Sequence, residues 1–255
     1  MLSKNQKRLI ASMTQKKQRV GSKLFLAEGE KCVNDLLNAG FIAHLLVHTD
    51  TYKLPAKTNL PTTIVEVTKE ELSKSSLLKT PQNVLALFHQ PLTDINNNAI
   101  ENKLCIALDG IQDPGNLGTI IRLADWFGIE NIICSSDTAD WFNPKVVQAT
   151  MGAIARINVH YVELQEYLQT YQTATDYEIY GTFLEGEDIY STKLDSKGMI
   201  VLGNEGNGIR DKVAELVTRK ITIPSFSLHK NISESLNVAT ATAIICAEFR
   251  RNNHY

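Results

Sequence analysis

At 255 residues, with 43% hydrophobic and 21% charged residues, the chain has the composition of a globular protein of one large domain or two ordinary ones, which excludes disordered and fibrous classes. Its formal charge of −2 provides no global basic field that would advertise a nucleic-acid partner. No stretch approaches the roughly 20 apolar residues of a membrane span. The four cysteines are far apart and form no CxxC pair, so no metal site or disulfide framework is expected, and a reducing cytoplasm is the natural compartment.

The N-terminus departs from the neutral balance. Met1 to Ala27 carries Lys4, Lys7, Arg8, Lys16, Lys17, Arg19 and Lys23 and no acid. A solvated helix face and a contact with an anionic partner both account for this. A targeting presequence fits less well, because the cations are mainly lysines and the segment reads as part of the fold. Residues 4 to 18 read as a basic helix and "KLFLAEG" as a strand. "EKCVNDLLNAG" reads as a helix with Cys32, Val33, Leu36 and Leu37 on one face and Gly40 as its stop. "IAHLLVHT" and "NVLALFH" are strands, and between them "TKEELSKSS" opens with Thr68 and Glu71 at capping-box spacing. Pro91 and the run Asn96, Asn97, Asn98 then mark a linker, which predicts domains at 1–95 and 96–255.

Beyond the linker the alternation is regular. Strands are expected at 103–109, 131–135, 157–162, 177–184, 198–204 and 220–224, separated by helical segments. One of these, "NPKVVQATMGA", has Asn143 as cap and Pro144 in its first turn, and a last helix spans 234–251. Fully apolar strands such as "MIVLG" argue for a mostly parallel sheet with helices on both faces.

Three loops at strand ends stand out. In "DGIQDPGNLGT" the glycines allow a sharp turn or close approach, and Asn116 is a candidate cap for the helix that follows. That helix has an apolar stripe of Leu117, Ile120, Ile121, Ala124 and Phe127. Arg122 falls off the stripe, with Asp125 at ion-pair spacing, and an ordinary surface pair would explain it. "VLGNEGNGIR" has three glycines after a buried strand, which suits a turn that turns its backbone toward a ligand. Glu205 within it would repel phosphate. "IPSFSLHKNISESLNVATATAII" ends a strand at Pro224 and later opens a small-residue helix that Ser233 or Ser235 could cap. No GxGxxG, GxxxxGK[ST], HExxH or GxSxG motif is present.

In this order the three loops resemble the motifs of the SpoU/TrmH family of RNA ribose 2′-O-methyltransferases, within the SPOUT class. Pro114, Gly115, Asn116, Gly118 and Arg122 match the first motif. Leu202, Gly203, Glu205, Gly206 and Gly208 match the second, and Ile223, Pro224, Ser235, Leu236, Asn237 and Val238 the third. "FLAEGEKCVNDLL" and "TPQNVLALF" look like pieces of the substrate-binding domain that precedes many members, a small α/β domain similar to kink-turn-binding ribosomal proteins. One departure is "SFSLHKNISE", which lengthens the third loop and lacks the glycine that members commonly carry there.

The resemblance implies a deep trefoil knot in the C-terminal domain and a homodimer with the site at its interface. It implies S-adenosyl-L-methionine at Leu202, Gly203, Gly206, Ile223 and Leu236, and catalysis by Arg122, Asn116, Glu205, Ser235 and Asn237. The substrate it implies is structured RNA, ribosomal rather than transfer RNA, with neither DNA nor membrane as partner. Lys4, Lys7, Arg8, Lys16, Lys17 and Arg19 would supply phosphate contacts. A guanidinium is effectively always charged, so Arg122 is expected to stabilise charge rather than take a proton. A transfer-RNA methylase and an RNA-binding assembly factor that has lost activity are the alternatives.

Overall fold

A computed structural model describes residues 1–55, 61–91, 100, 102–227 and 235–254. The chain divides into two compact units, Met1–Leu92 with Asp140–Arg156, and Thr93–Ala139 with Ile157–Tyr255. The domain boundary expected at residue 95 lies outside the described residues.

In the first unit the basic N-terminal segment forms two helices rather than one, α1 (Lys4–Ser12) and α2 (Lys16–Ser22). At the break Arg19 Nη1 donates to the Met13 carbonyl at 2.6 Å, satisfying a backbone group at the end of α1 that has no partner within the helix. Ser3 and Gln6 form a full capping box at the start of α1. There follow β1 (Leu24–Glu28), α3 (Glu30–Asn38), β2 (Ala43–His48), β3 (Ile64–Glu66), α4 (Lys69–Ser73) and β4 (Val84–His89). The sheet order is β1-β4-β2-β3, with β4 antiparallel to both β1 and β2. Leu26, Leu45, Val47, Leu85 and Leu87 meet Ile10, Met13 and Leu72 in its core. The edge strand β3 has no apolar alternation and was not expected, because it is mostly exposed. Thr68 accepts from the Glu71 amide at 3.2 Å, but the Glu71 carboxylate turns instead to the Leu2 amide and Lys7, so only half of that expected capping box forms. The short helix Pro144–Ala149 in this unit starts as expected, with Asn143 accepting from the Lys145 amide.

The second unit contains β5 (Leu104–Asp109), α5 (Pro114–Trp126), β6 (Asn131–Ser135), β7 (Asn158–Val162), α6 (Leu164–Ala174), β8 (Ile179–Asp188), β9 (Gly198–Gly203), α7 (Asp211–Ala214), β10 (Arg219–Thr222) and α8 (Val238–His254). Its six strands pair in parallel in the order β10-β8-β9-β5-β6-β7. Cys105, Ala107, Ile133 and Val201 point to the face covered by Leu164 and Leu168 of α6. Alternate residues of a strand face opposite ways, and Tyr180 packs edge-on against Phe249 of α8 at 4.9 Å on the other face. Helices therefore cover both faces of a parallel sheet. Among the described residues no helix is long and apolar enough to cross a membrane.

One register decides where the loops converge. β5 and β9 are neighbours, with Leu108 opposite Leu202 and Asp109 opposite Gly203. The first two loops therefore leave the carboxyl edge of the sheet side by side, where parallel α/β sheets bind ligands.

Candidate active site

Asp113 rather than Asn116 is the N-cap of α5, accepting from the Asn116 amide at 2.8 Å with Pro114 in the first turn. This corrects the expected cap and has a consequence, since the Asn116 side chain is left free for other partners. Gly115 fits closely here, since a Cβ would lie 3.0 Å from Asp113 Oδ1 and press on the capping carboxylate.

The second loop folds on itself. Asn204 and Gly208 exchange backbone hydrogen bonds of 3.0 and 2.9 Å, and Asn204 Oδ1 accepts from the amides of Gly206 and Asn207. Gly203 cannot be replaced, since its Cβ would come within 2.2 Å of the Gly208 and Ile209 backbone. The loop is tied to the first at both ends. Asn204 Nδ2 donates to the Gly110 carbonyl at 2.7 Å, and Arg210 binds the fully buried Asp109 carboxylate through its backbone N at 2.8 Å and Nε at 2.7 Å. Hydrogen bonding to Asp109 holds the Arg210 guanidinium above its ordinary pKa range. These ties were missed from sequence. An Asp ending a strand and an Arg closing a glycine loop were the only signals.

In the third segment Asn237 caps α8, accepting from the amides of Ala239 at 3.0 Å and Thr240 at 3.3 Å. It takes the place expected for Ser235, and Ser233 lies outside the described residues.

The three segments meet in one hydrogen-bonded chain. Asn237 Nδ2 donates to Asn116 Oδ1 at 3.0 Å, and Asn116 Nδ2 donates to Glu205 Oε1 at 2.7 Å. A single amide thus bridges residues 89 and 121 positions away in the sequence. The Glu205 carboxylate accepts from a residue in the first turn of α5, a favourable place for negative charge. Arg122 lies on α5, exposed, and makes no hydrogen bond or ion pair with the described residues, Asp125 included. Ser235 and Leu236 are exposed beside Asn237, Ile223 is half-buried just after β10, and Gly206 is exposed in the second loop. The Leu202 side chain is buried in the sheet, so only its backbone is near the loop.

The remaining predicted residues lie in the first unit. Lys4, Arg8, Lys16 and Lys17 are exposed, and Lys7 pairs with Glu71 at 3.1 Å. Arg19 is corrected: it is 2% exposed and committed to Asp140 at 2.9 Å through Nε, so its charge is spent inside the fold. Burial pushes the thiols of Cys32, Cys105 and Cys246 up to about 12, which fits them as core residues rather than nucleophiles.

The loop 203–208 carries one acid, no lysine and no arginine. Such a donor set disfavours phosphate and suits a nucleoside held by backbone groups. Residues 103–247 match the model of the SpoU rRNA Methylase family.

The chain belongs to the SpoU rRNA methylase family.

Residues 4–86 of this SpoU-family chain match the MRM3-like substrate binding domain. It is 31% identical over 242 residues to the 23S rRNA (guanosine(2553)-2′-O)-methyltransferase RlmP of Bacillus subtilis, covering 92% of each chain. Among solved structures it is similar to a TrmH-family protein from Porphyromonas gingivalis, at 37% identity and a TM-score of 0.88 over 98% of this chain and 99% of that one. An AdoMet-bound rRNA methyltransferase from Sinorhizobium meliloti shares 31% identity at a TM-score of 0.82, over 98% and 97% of the two chains.

Proposed function

We propose that this protein transfers the methyl group of S-adenosyl-L-methionine to a ribose 2′-hydroxyl of large-subunit ribosomal RNA. The observation that carries the reading is the Asn237–Asn116–Glu205 chain, which joins one side chain from each of the three family motifs, with Arg122, exposed and without a partner among the described residues, on the helix of Asn116. Support for the substrate comes from RlmP, whose length the chain covers almost entirely.

The methyl donor supplies an electrophilic carbon and its own leaving group, so the protein has to orient, shield and handle one proton. The backbone at Leu202, Gly203 and Gly206, with the side chains of Ile223 and Leu236, would hold the donor. Asn116 and Asn237 orient the reacting ribose, and Ser235 adds a hydroxyl beside them. Glu205 fixes the second loop through Asn116. Arg122 keeps its charge and stabilises the oxygen as it loses its proton. The exposed cations Lys4, Lys7, Arg8, Lys16 and Lys17 would bind phosphates without reading sequence, and the 2′-hydroxyl itself distinguishes RNA from DNA. The same reading includes a trefoil knot, a homodimer in which the partner completes the site, and residence in the cytoplasm.

The test is to map ribose methylation in total RNA from cells with and without the gene, alongside transfer of labelled methyl groups to purified 23S rRNA and tRNA by the protein. Loss of one 2′-O-methyl site in 23S rRNA is expected. Loss of a tRNA site would move the substrate. Donor binding with no transfer to any RNA would mean an assembly factor.

A further inference from the structure

We propose that Asp109, Arg210 and Asn204 act as a two-ended clamp that fixes loop 203–210 on the first motif and thereby holds Glu205 against Asn116. The inference rests on the methyltransferase reading of that site and adds positioning residues to it.

Glu205 is exposed, and its hydrogen bond to the half-buried Asn116 is open to solvent. An exposed contact of that kind cannot hold a glycine-rich loop in place by itself. The fixed points lie on either side. Before Glu205, Asn204 Nδ2 donates to the Gly110 carbonyl, while its Oδ1 ties down the Gly206 and Asn207 amides. After it, Arg210 meets both oxygens of the buried Asp109 carboxylate, Oδ2 through its backbone N–H and Oδ1 through its guanidinium, a two-point contact that sets angle as well as distance. Arg210 Nη1 also reaches Asp137 Oδ2 at 3.4 Å. Asp137 accepts from Ser135 Oγ at 2.6 Å, and Ser135 Oγ in turn accepts from the Gly110 amide at 2.8 Å. Both ends of the clamp therefore close on one turn, Asp109–Gly110.

The test uses the full-length protein with Arg210→Ala and Arg210→Lys, the latter keeping a charge opposite Asp109 so that the fold survives if the alanine variant does not. Amide hydrogen exchange is read at 203–209, with β5 and α5 as internal references, and kinetics are measured against S-adenosylmethionine. Exchange at Gly206 and Asn207 is expected to rise tenfold or more, on the order of the loss of one or two loop hydrogen bonds. KM for the donor is expected to rise about tenfold with a smaller change in kcat. Lysine, lacking the planar fork, should restore exchange only in part. Unchanged loop exchange in both variants would overturn the clamp. The exchange measurement does not depend on activity, so a wild-type protein that transfers no methyl group refutes the function and leaves the clamp to be judged by exchange.

Discussion

Replacing Arg122 with alanine separates a catalytic from a structural arginine. The side chain is exposed and makes no hydrogen bond or ion pair with the described residues. Stability should therefore change by no more than about 0.5 kcal/mol, the usual range for a surface site. For a unit of this size that is a shift in Tm of less than about 2 °C. If Arg122 stabilises the oxygen that loses its proton, its removal should slow transfer about 10²–10³-fold, equivalent to about 2.7–4 kcal/mol. The measurement is single-turnover transfer of labelled methyl from saturating S-adenosylmethionine to 23S rRNA, with calorimetric donor affinity and a thermal scan on the same preparation. Donor affinity should stay within about threefold, because the donor's proposed contacts lie on other loops. Arg122→Lys should fall between the two, keeping the charge but losing the forked donor. A rate within about tenfold of wild type, or a Tm lowered by more than about 4 °C, would refute the reasoning.

Three further outcomes are expected. Asn116→Asp sets a carboxylate where an amide now donates to Glu205 at 2.7 Å, and such charges repel by about 1 kcal/mol even in water. Calorimetry should show weaker donor binding, with recovery on adding Glu205→Gln; unchanged binding in the single variant counts against the hydrogen-bonded chain. Arg19→Ala leaves Asp140 without its buried partner and should destabilise the first unit by about 3–5 kcal/mol in a denaturant titration. A loss below about 1 kcal/mol would mean the pair is not needed. Burial lowers the pKa of His160 from its ordinary 6.5, and its Nδ1 has no hydrogen-bond partner among the described residues. The unfolded chain then binds the proton more readily, so stability is full above 6.5 and declines as pH falls below it. His160→Leu should flatten that decline in urea midpoints measured from pH 7 to about pH 5, and an unaltered slope would exclude His160 as its source.

Much of the second unit was legible because its strands are short apolar runs bounded by turn residues. The strands expected at 131–135 and 198–204 coincide with β6 and β9 to within a residue. Local patterns were less reliable where long-range bonds compete. The segment 4–18 has one helical pattern but breaks at Met13, where the buried Arg19 takes up the carbonyl left at the helix end. Caps were misassigned for the same kind of reason. Asp113 and Asn237 have chemistry as good as that of Asn116 and Ser235, and only the packed chain selects between them.

By itself the sequence determined the identity of the chemical groups. Period-two and apolar-run patterns marked the strands, and the Asn, Glu, Arg and Gly residues of three loops marked the site, because these are properties of residue type and spacing. Tertiary structure alone decided adjacency. Only the pairing of β5 with β9 puts Asp109 opposite Gly203 and brings Glu205 to Asn116 across 89 positions of sequence. It also decided which charges are free. Arg122 and Arg19 are the same residue type, each on a helix, yet one is exposed without a described partner and the other is buried on Asp140. Burial and pairing, unlike periodicity, depend on residues distant in the chain, and no local pattern encodes them.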